Sequence, residues 1–506
     1  MRNPICVSLV LMAGAAYAGN VKSGATPTFN RDIAPILYKN CSNCHRPGEV
    51  APFALLTYDD AAKRAKQIAA ITTARVMPPW KATPGYGEFL DERRLTEEQI
   101  ATIKDWAMHG APEGNPKEKP VPPTFTAGWM AGQPDQVIEM TQPYSLPAEG
   151  PDQFRCFVVP MNATEDEYVK TVEFRPGNAK VVHHAILFMD TSGEARKKEE
   201  APGKGYDCVG GPGLDITGAL GGWAPGSQPA TARPGIAATI KKGADLVLQI
   251  HYHLDGKPEE DQSRLGLKFS KEPPTKGLTL YVLGNQKIDI PPGENHYVVK
   301  SSGILPMDVE AIAVFPHAHY LAKDMKVNAK LPDGTVEALI WIKDWDFNWQ
   351  GAYRYANPMK LPKGTVLSME YTYDNSAANP HNPSNPPQEV KFGEQTTNEM
   401  AFAFVSVALA SPADVPEFRA GTRAEFIATM LENGVDEEAL GKERAGQLKL
   451  LLNAFDKNHN GKIDPEERQA VVDFLIKRSM QRQQAPSATE PRPQGSATTK
   501  PEGPRP

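Results

Sequence analysis

Between about residue 124 and residue 409 the chain alternates short β-branched, apolar runs with turn clusters such as Pro291-Pro292-Gly293 and Pro332-Asp333-Gly334. That spacing predicts antiparallel sheets of the sandwich kind, and the length suits two of them. Ahead of this region the apolar period is helical. Ile33, Ile36 and Leu37 share one face of a short helix that Asn30 can cap. Thr96-Glu97-Glu98-Gln99 is a capping box that opens a helix with Ile100, Ile103 and Trp106 on one face, ended by Gly110 and Pro112. Residues 112–123, rich in Pro, Lys and Glu, predict an extended linker. Helical spacing returns after Pro412, with Leu448, Leu451, Leu452 and Phe455 on one face.

The expected organisation is therefore multidomain. An all-α domain occupies 26–123, two tandem antiparallel β-sandwiches occupy 124–270 and 271–410, and a small helical module occupies 411–482. The tail 483–506, rich in Pro, Ser and Thr, predicts disorder. A chain of 506 residues is too long for one core, which fits this division.

Charge and the first residues narrow the setting. A net charge of −6 offers no basic field for nucleic acid. Arg2, an apolar run from Ile5 to Ala15 and Ala16-Tyr17-Ala18 before Gly19 predict a secretory signal over residues 1–18. The mature chain is expected to be secreted or periplasmic, with no transmembrane segment. Cys6 leaves with the signal. Cys156 and Cys208 flank a histidine-bearing strand and are expected to pair as a disulfide in an oxidising compartment.

The chemistry sits in the histidines. Of eleven, six fall in three apolar, strand-like contexts: His183-His184, His251-Tyr252-His253 and His317-Ala318-His319. A His-x-His on a strand places both imidazoles on one face. Adjacent histidines point to opposite faces unless the strand is distorted, so His183 and His184 need either separate partners or a distorted strand end. Imidazole clusters with a soft sulfur nearby suit copper, zinc or iron. No His-Glu-x-x-His helix is present, which argues against zinc-dependent proteolysis.

Cys41-Ser42-Asn43-Cys44-His45 is the attachment signature of a c-type haem, with two thiols for the vinyl groups and His45 for the iron. Met77, in Val76-Met77-Pro78-Pro79-Trp80, is the best candidate for the distal ligand. Met108 and His109 are the fallbacks, and His109 would give the lower potential. This stretch resembles a small class I cytochrome c domain, and the loop at Met77 is similar to that family's distal-methionine loop.

A second resemblance covers roughly Cys156 to Ala408. His183-His184, Gln249-Ile250-His251-Tyr252-His253, His317-Ala318-His319 and Thr397-Asn398-Glu399-Met400 follow one order and rough spacing. They resemble the copper type II, ascorbate-dependent monooxygenases, the family of peptidylglycine α-hydroxylating and dopamine β-monooxygenases. The resemblance implies two jelly-roll-like domains, each holding one copper ion. It implies that His183, His184 and His251 form an electron-transfer site, and that His317, His319 and Met400 form the site for oxygen and substrate. It also implies the Cys156–Cys208 disulfide. Phe315 and Phe404 stand where the peptide-amidating branch has Arg and Tyr, which disfavours a C-terminal glycine peptide as substrate. His253 is a rival to His251, and Met325 a rival to Met400.

Asp456 to Glu467 fits the twelve-residue EF-hand loop. Asp456, Asn458, Asn460, Asp464 and Glu467 supply side-chain oxygens, Lys462 a carbonyl, and Gly461 the sharp turn. Calcium is the expected ligand. A partner loop near Leu431 to Asp436 lacks the ligand pattern.

The function expected from these features is copper-dependent hydroxylation of a C–H bond of a small organic substrate by O2. Electrons would come through the fused haem from an external one-electron reductant or redox protein. The alternative is a non-catalytic haem and copper electron-transfer or copper-binding protein.

Overall fold

The structure, a computed structural model, describes residues 26–49, 51–125, 128–214, 216, 218–225, 227–432 and 442–484. The secretory signal and nearly all of the C-terminal tail lie outside the described residues. So does most of the Leu431 to Asp436 stretch.

The chain divides into two compact units, Met1–Pro78 with Arg93–Thr124, and Pro79–Glu92 with Phe125–Pro506. In the first unit, helices Ala34–Asn40, Tyr58–Ala62, Ala65–Thr73 and Glu97–Met108 surround an apolar core. Phe29, Ile33, Leu37, Ile103 and Trp106 are fully buried there. The capping box at Thr96 and Gln99 forms, and a second one forms at Thr57 and Asp60. Asn30 is not the cap it was expected to be. It is buried inside a π-helical turn, Phe29–Ile33, whose first position is held by Thr28, with the Thr28 N–H donating to Asp32 Oδ2 at 2.7 Å.

The second unit is mostly β. Four of its sheets have four or five strands, two have only two, and the pairings between its strands are antiparallel. One five-stranded sheet runs Tyr206–Asp207, Gln153–Pro160, Asp245–Tyr252, Val182–Asp190, Gly218–Trp223. Asp245–Tyr252 lies inside this sheet and is buried at all eight positions, which is why it reads as a nearly unbroken apolar run. One four-stranded sheet runs Gly277–Gly284, Phe402–Leu409, Val309–His317, Tyr353–Leu361. Another runs Tyr297–Ile304, Val366–Tyr373, Ala322–Lys330, Val336–Ile342, and these two four-stranded sheets share a core that includes Val314, Met325, Val327, Tyr371 and Val405.

The expected fold class does not hold. The chain is mostly β, with eight α-helices among the described residues and small antiparallel sheets in a four-blade, propeller-like arrangement, rather than an all-α cytochrome domain followed by two sandwiches. The division into units points the same way. Pro79–Glu92 leaves the helical unit and joins the β unit, where Ala82 bridges to Ile342 and Phe89 to Tyr355. Phe89 stacks on Tyr355 with ring centroids 5.4 Å apart. The C-terminal helices are not detached either. Helix Val415–Glu432 inserts the fully buried Phe418 into the core that holds Tyr281 and Leu305. Periodicity identifies strands and helices, but it carries no information on how separate sheets assemble.

Candidate metal centres

Two histidine groups form within the β unit. The first rises from a strand irregularity. On the paired strands Val182–Asp190 and Asp245–Tyr252, His251 stands opposite His184 and Tyr252 opposite Val182, so His183 is the extra residue of a bulge. The bulge cancels the usual alternation and lets adjacent histidines share one space. The Nδ1 of His184 lies 3.2 Å from that of His183 and 3.3 Å from that of His251. Donor atoms of all three lie within 4.8 Å of one another, the one group of three or more His, Cys, Asp or Glu with this property among the described residues.

Packing fixes these rings. His251 stacks on Phe154, its neighbour across the sheet, at 4.2 Å between centroids and 12° between planes. Its Nε2 lies 3.1 Å from Asp152 Oδ2, and the exposed His253 donates from Nδ1 to Asp152 Oδ1 at 2.8 Å. Burial, then the neighbouring His251, pushes His183 down to about 3 and takes His184 well below the ordinary imidazole value. Burial works against the Asp152 carboxylate, but hydrogen bonds from His251 and His253 hold it below the usual range, and the same carboxylate raises His253. Two imidazoles held neutral by desolvation, clustered with a third that lies beside a carboxylate, are a cation-ready set.

The second group lies at the end of Val309–His317. The His317 and His319 rings are 5.3 Å apart at 83°. Here the Nδ1 atoms are engaged elsewhere. His317 Nδ1 donates to Gln350 Oε1 at 2.7 Å, and His319 Nδ1 to the Asn398 carbonyl at 3.0 Å. In both rings Nε2 is the nitrogen left for a ligand. Burial pushes His317 down to about 4 and His319 to about 3. Asn398 is followed by Glu399, a fully buried carboxyl, and by Met400. Burial raises Glu399 to about 8, opposed by three backbone N–H donors. Met325 is fully buried in the apolar core, paired across its sheet with Tyr371 and Ile342.

Residues the sequence reading passed over join the two groups. Phe347 stacks on His183 at 4.6 Å and 17°, and meets the His319 ring edge-on at 5.5 Å. Its loop also supplies Gln350 to His317, and Trp345 Nε1 donates to the His319 carbonyl at 2.9 Å. Lys81, on the Pro79–Glu92 segment, pairs with Asp344 and Asp346 beside Phe347. Asp152 Oδ2 accepts the Thr396 N–H at 3.2 Å, four residues before Met400. Each is distant in sequence from the histidine it serves. Only the aromatic spacing Trp345-Asp346-Phe347-Asn348-Trp349 would have drawn the eye.

Cys156 and Cys208 form a disulfide, with Cα atoms 5.8 Å apart. Gln249 Nε2, on the strand that carries His251, donates to the Cys208 carbonyl at 2.8 Å.

In the helical unit, Cys41 follows helix Ala34–Asn40, and the His45 N–H donates to the Cys41 carbonyl at 2.9 Å. His45 Nδ1 donates to the Phe53 carbonyl at 3.1 Å, so its Nε2 is the nitrogen left for a ligand. Burial lowers His45 and raises the Cys41 thiol to about 12. Met77 is half-buried after helix Ala65–Thr73, whereas Met108 is 67 % exposed and His109 donates from Nδ1 to the Asp105 carbonyl.

In the Asp456 to Glu467 loop the carboxylates of Asp456 and Glu467 are buried. Asp456 accepts the Gly461 N–H at 2.8 Å, and Glu467 accepts those of Lys457 and Asp464 at 2.6 and 3.1 Å. Gly461 takes φ 83°, which its place in the loop requires.

No protein-family model matches the chain, and no curated protein matches it. Solved structures align weakly. The major capsid protein P2 of bacteriophage PM2 is 7 % identical with a TM-score of 0.22, over 54 % of this chain and 96 % of that one. The VP2 subviral particle of infectious bursal disease virus is 9 % identical at 0.16, over 59 % and 75 %. PNGF-II is 10 % identical at 0.18, over 56 % and 63 %. Likenesses at this level carry no argument about fold or function. No helix among the described residues is long and apolar enough to cross a membrane.

Proposed function

We propose that this chain is a copper-dependent monooxygenase that hydroxylates a C–H bond of a small organic substrate, with its own c-type haem as electron donor. The observation that carries the reading is the convergence of three Nδ1 atoms from His183, His184 and His251 on a strand bulge. The donor set fits a copper ion: three clustered imidazoles, two of them, His183 and His184, kept uncharged by desolvation and the third, His251, buried beside Asp152. His317, His319 and Met400 would hold a second ion, with the soft thioether favouring Cu(I). When bound, the two ions would supply one-electron redox chemistry and an open coordination position for O2.

The chain's own residues do the rest. Gln350 and Asn398 hold the His317 and His319 tautomers, and Asp152 backs the His251 ring. Phe347 fills the space between His183 and His319. Cys41, Cys44 and His45 would attach the haem, with Met77 as distal ligand, since Met108 and His109 face outward. Asp456, Asn458, Asn460, Lys462, Asp464 and Glu467 would bind calcium in a structural role, closing a loop whose two end carboxylates are already buried. The signal sequence supports a secreted or periplasmic site of action.

A second reading, a haem and copper electron carrier without turnover, is favoured by one observation. The Phe347 ring packs against both groups, stacked on His183 and edge-on to His319, as a closed, solvent-excluding site for electron transfer would have it. Oxygen uptake decides between them. Copper-loaded, reduced protein given a panel of small C–H substrates should consume O2 in step with hydroxylated product. Reoxidation without product would leave the carrier.

A further inference from the structure

We infer that Glu399 is the positioning residue of the second metal group, a buried clamp that sets the distance between the His319 imidazole and the Met400 thioether. The inference rests on the copper reading above and adds to it the residue that makes the two ligands one unit.

The geometry is specific. The Glu399 carboxylate is fully buried and accepts three backbone N–H groups. Oε2 accepts that of His319 at 2.8 Å and that of Met400 at 3.1 Å, while Oε1 accepts that of Leu321 at 2.6 Å. One oxygen atom thus joins the backbones of two candidate ligands that are 81 positions apart. The neighbours of Glu399 reinforce the clamp. Asn398 gives its carbonyl to His319 Nδ1, and Tyr373 Oη donates to the Met400 carbonyl at 2.7 Å. The backbone of Glu399 is fixed in turn. Its N–H donates to the Lys391 carbonyl at 3.0 Å, and its carbonyl accepts the Gly393 N–H at 3.2 Å.

A buried carboxyl is costly, and one that only filled space would be better replaced by an apolar side chain. This one binds two N–H donors in the turn after Val309–His317, those of His319 and Leu321, and a third, that of Met400, just before strand Phe402–Leu409. A thioether is a weak ligand on a flexible stem, so its place relative to the imidazoles depends on how firmly its backbone is held.

The test uses the full chain and Cu(I) alone as probe, with two variants that differ in where they leave an oxygen. Glu399→Asp keeps the carboxyl group but draws both oxygens back by one methylene. Glu399→Gln keeps the length and can leave its carbonyl oxygen on the His319 and Met400 N–H groups, giving up the bond from Leu321. Cu(I) affinity at the second group should fall by about tenfold or more in the Asp variant, with the sulfur contribution to the copper X-ray absorption spectrum lost. The Gln variant should keep that contribution and stay within about threefold of the parent. Affinity at the His183, His184 and His251 group should not move in either. The clamp is wrong if the Asp variant keeps second-site affinity and sulfur scattering. It is also wrong if both variants lose them equally along with thermal stability. If the parent chain takes up no Cu(I) at His317 and His319, the copper reading itself fails, and that result is distinct because it appears before any substitution is made.

Discussion

The two histidine groups use the same side chain in opposite ways. In the first, Nδ1 points inward on all three rings, and His251 turns its Nε2 toward Asp152. In the second, Nδ1 of both rings is tied outward, to Gln350 and to the Asn398 carbonyl. The difference follows from where each sits. The first lies at the adjoining ends of two paired strands, where a bulge brings three rings within reach of one another. The second lies where a strand runs out into a turn and loops can reach around each ring. The lesson is that the nitrogen available to a metal is decided by what holds the other nitrogen, not by histidine spacing.

The sharpest way to break the comparison is to remove the central nitrogen of the first group. His184→Ala should lower bound copper from about two ions per chain towards one, because His184 Nδ1 is the atom near both others, while the second group keeps its ion. Metal analysis and the sulfur signature of the remaining ion would check this. Loss of both ions would mean that the groups are not independent.

Changing the partner rather than the ligand should cost less. Gln350→Leu should weaken the second group, and Asp152→Asn the first, each by about 10–100-fold and without crossing over. Competition against a Cu(I) chelator measures both. A Gln350 variant that weakened the first group instead would undo the assignment of tautomers.

Acid should act on both groups in the metal-free chain. His183, His317 and His319 titrate at about 3 to 4 when folded, below the ordinary imidazole value of 6.5, so the unfolded chain binds more protons between those limits. Stability from these rings is complete above 6.5 and is lost progressively as pH falls toward 3. Thermal melting against pH would record it. A flat profile across that window would mean that the rings are solvated.

The smallest effect separates His251 from its rival. His253 is exposed and meets the group only through Asp152. His253→Ala should change first-site affinity by no more than about threefold, in line with an exposed ion pair. A loss as large as that of His184→Ala would make His253 the ligand.

How much of this was legible in sequence varies with the distance between partners. The His-x-His pairs were readable as histidine pairs, but the strands end at Tyr252 and His317, so strand alternation does not place His253 or His319. Adjacent His183 and His184 were ambiguous, because alternation sends them apart and only the pairing of Tyr252 with Val182 reveals the bulge. The Cys156–Cys208 disulfide was expected from compartment and position, and it forms. Asp152, Phe347, Gln350 and the role of Glu399 were invisible, since each reaches its histidine by tertiary folding. The assembly of the sheets was misjudged for the same reason, because a strand's period is the same in any β architecture.

The passage of Pro79–Glu92 into the β unit has a consequence for the ancestry and the dissection of this molecule. Joining two genes end to end makes a polypeptide that crosses from one body to the other once. This one crosses three times, after Pro78, after Glu92 and after Thr124. A single protease nick between Pro112 and Pro123 therefore leaves Pro79–Glu92 on the N-terminal fragment, paired non-covalently with strands of the β unit. Ending the helical half before Pro79 strips Ala82 and Phe89 from their partner strands. The helical unit is not a detachable cassette, and any plan to exchange it has to carry Pro79–Glu92, which belongs to the β unit, along.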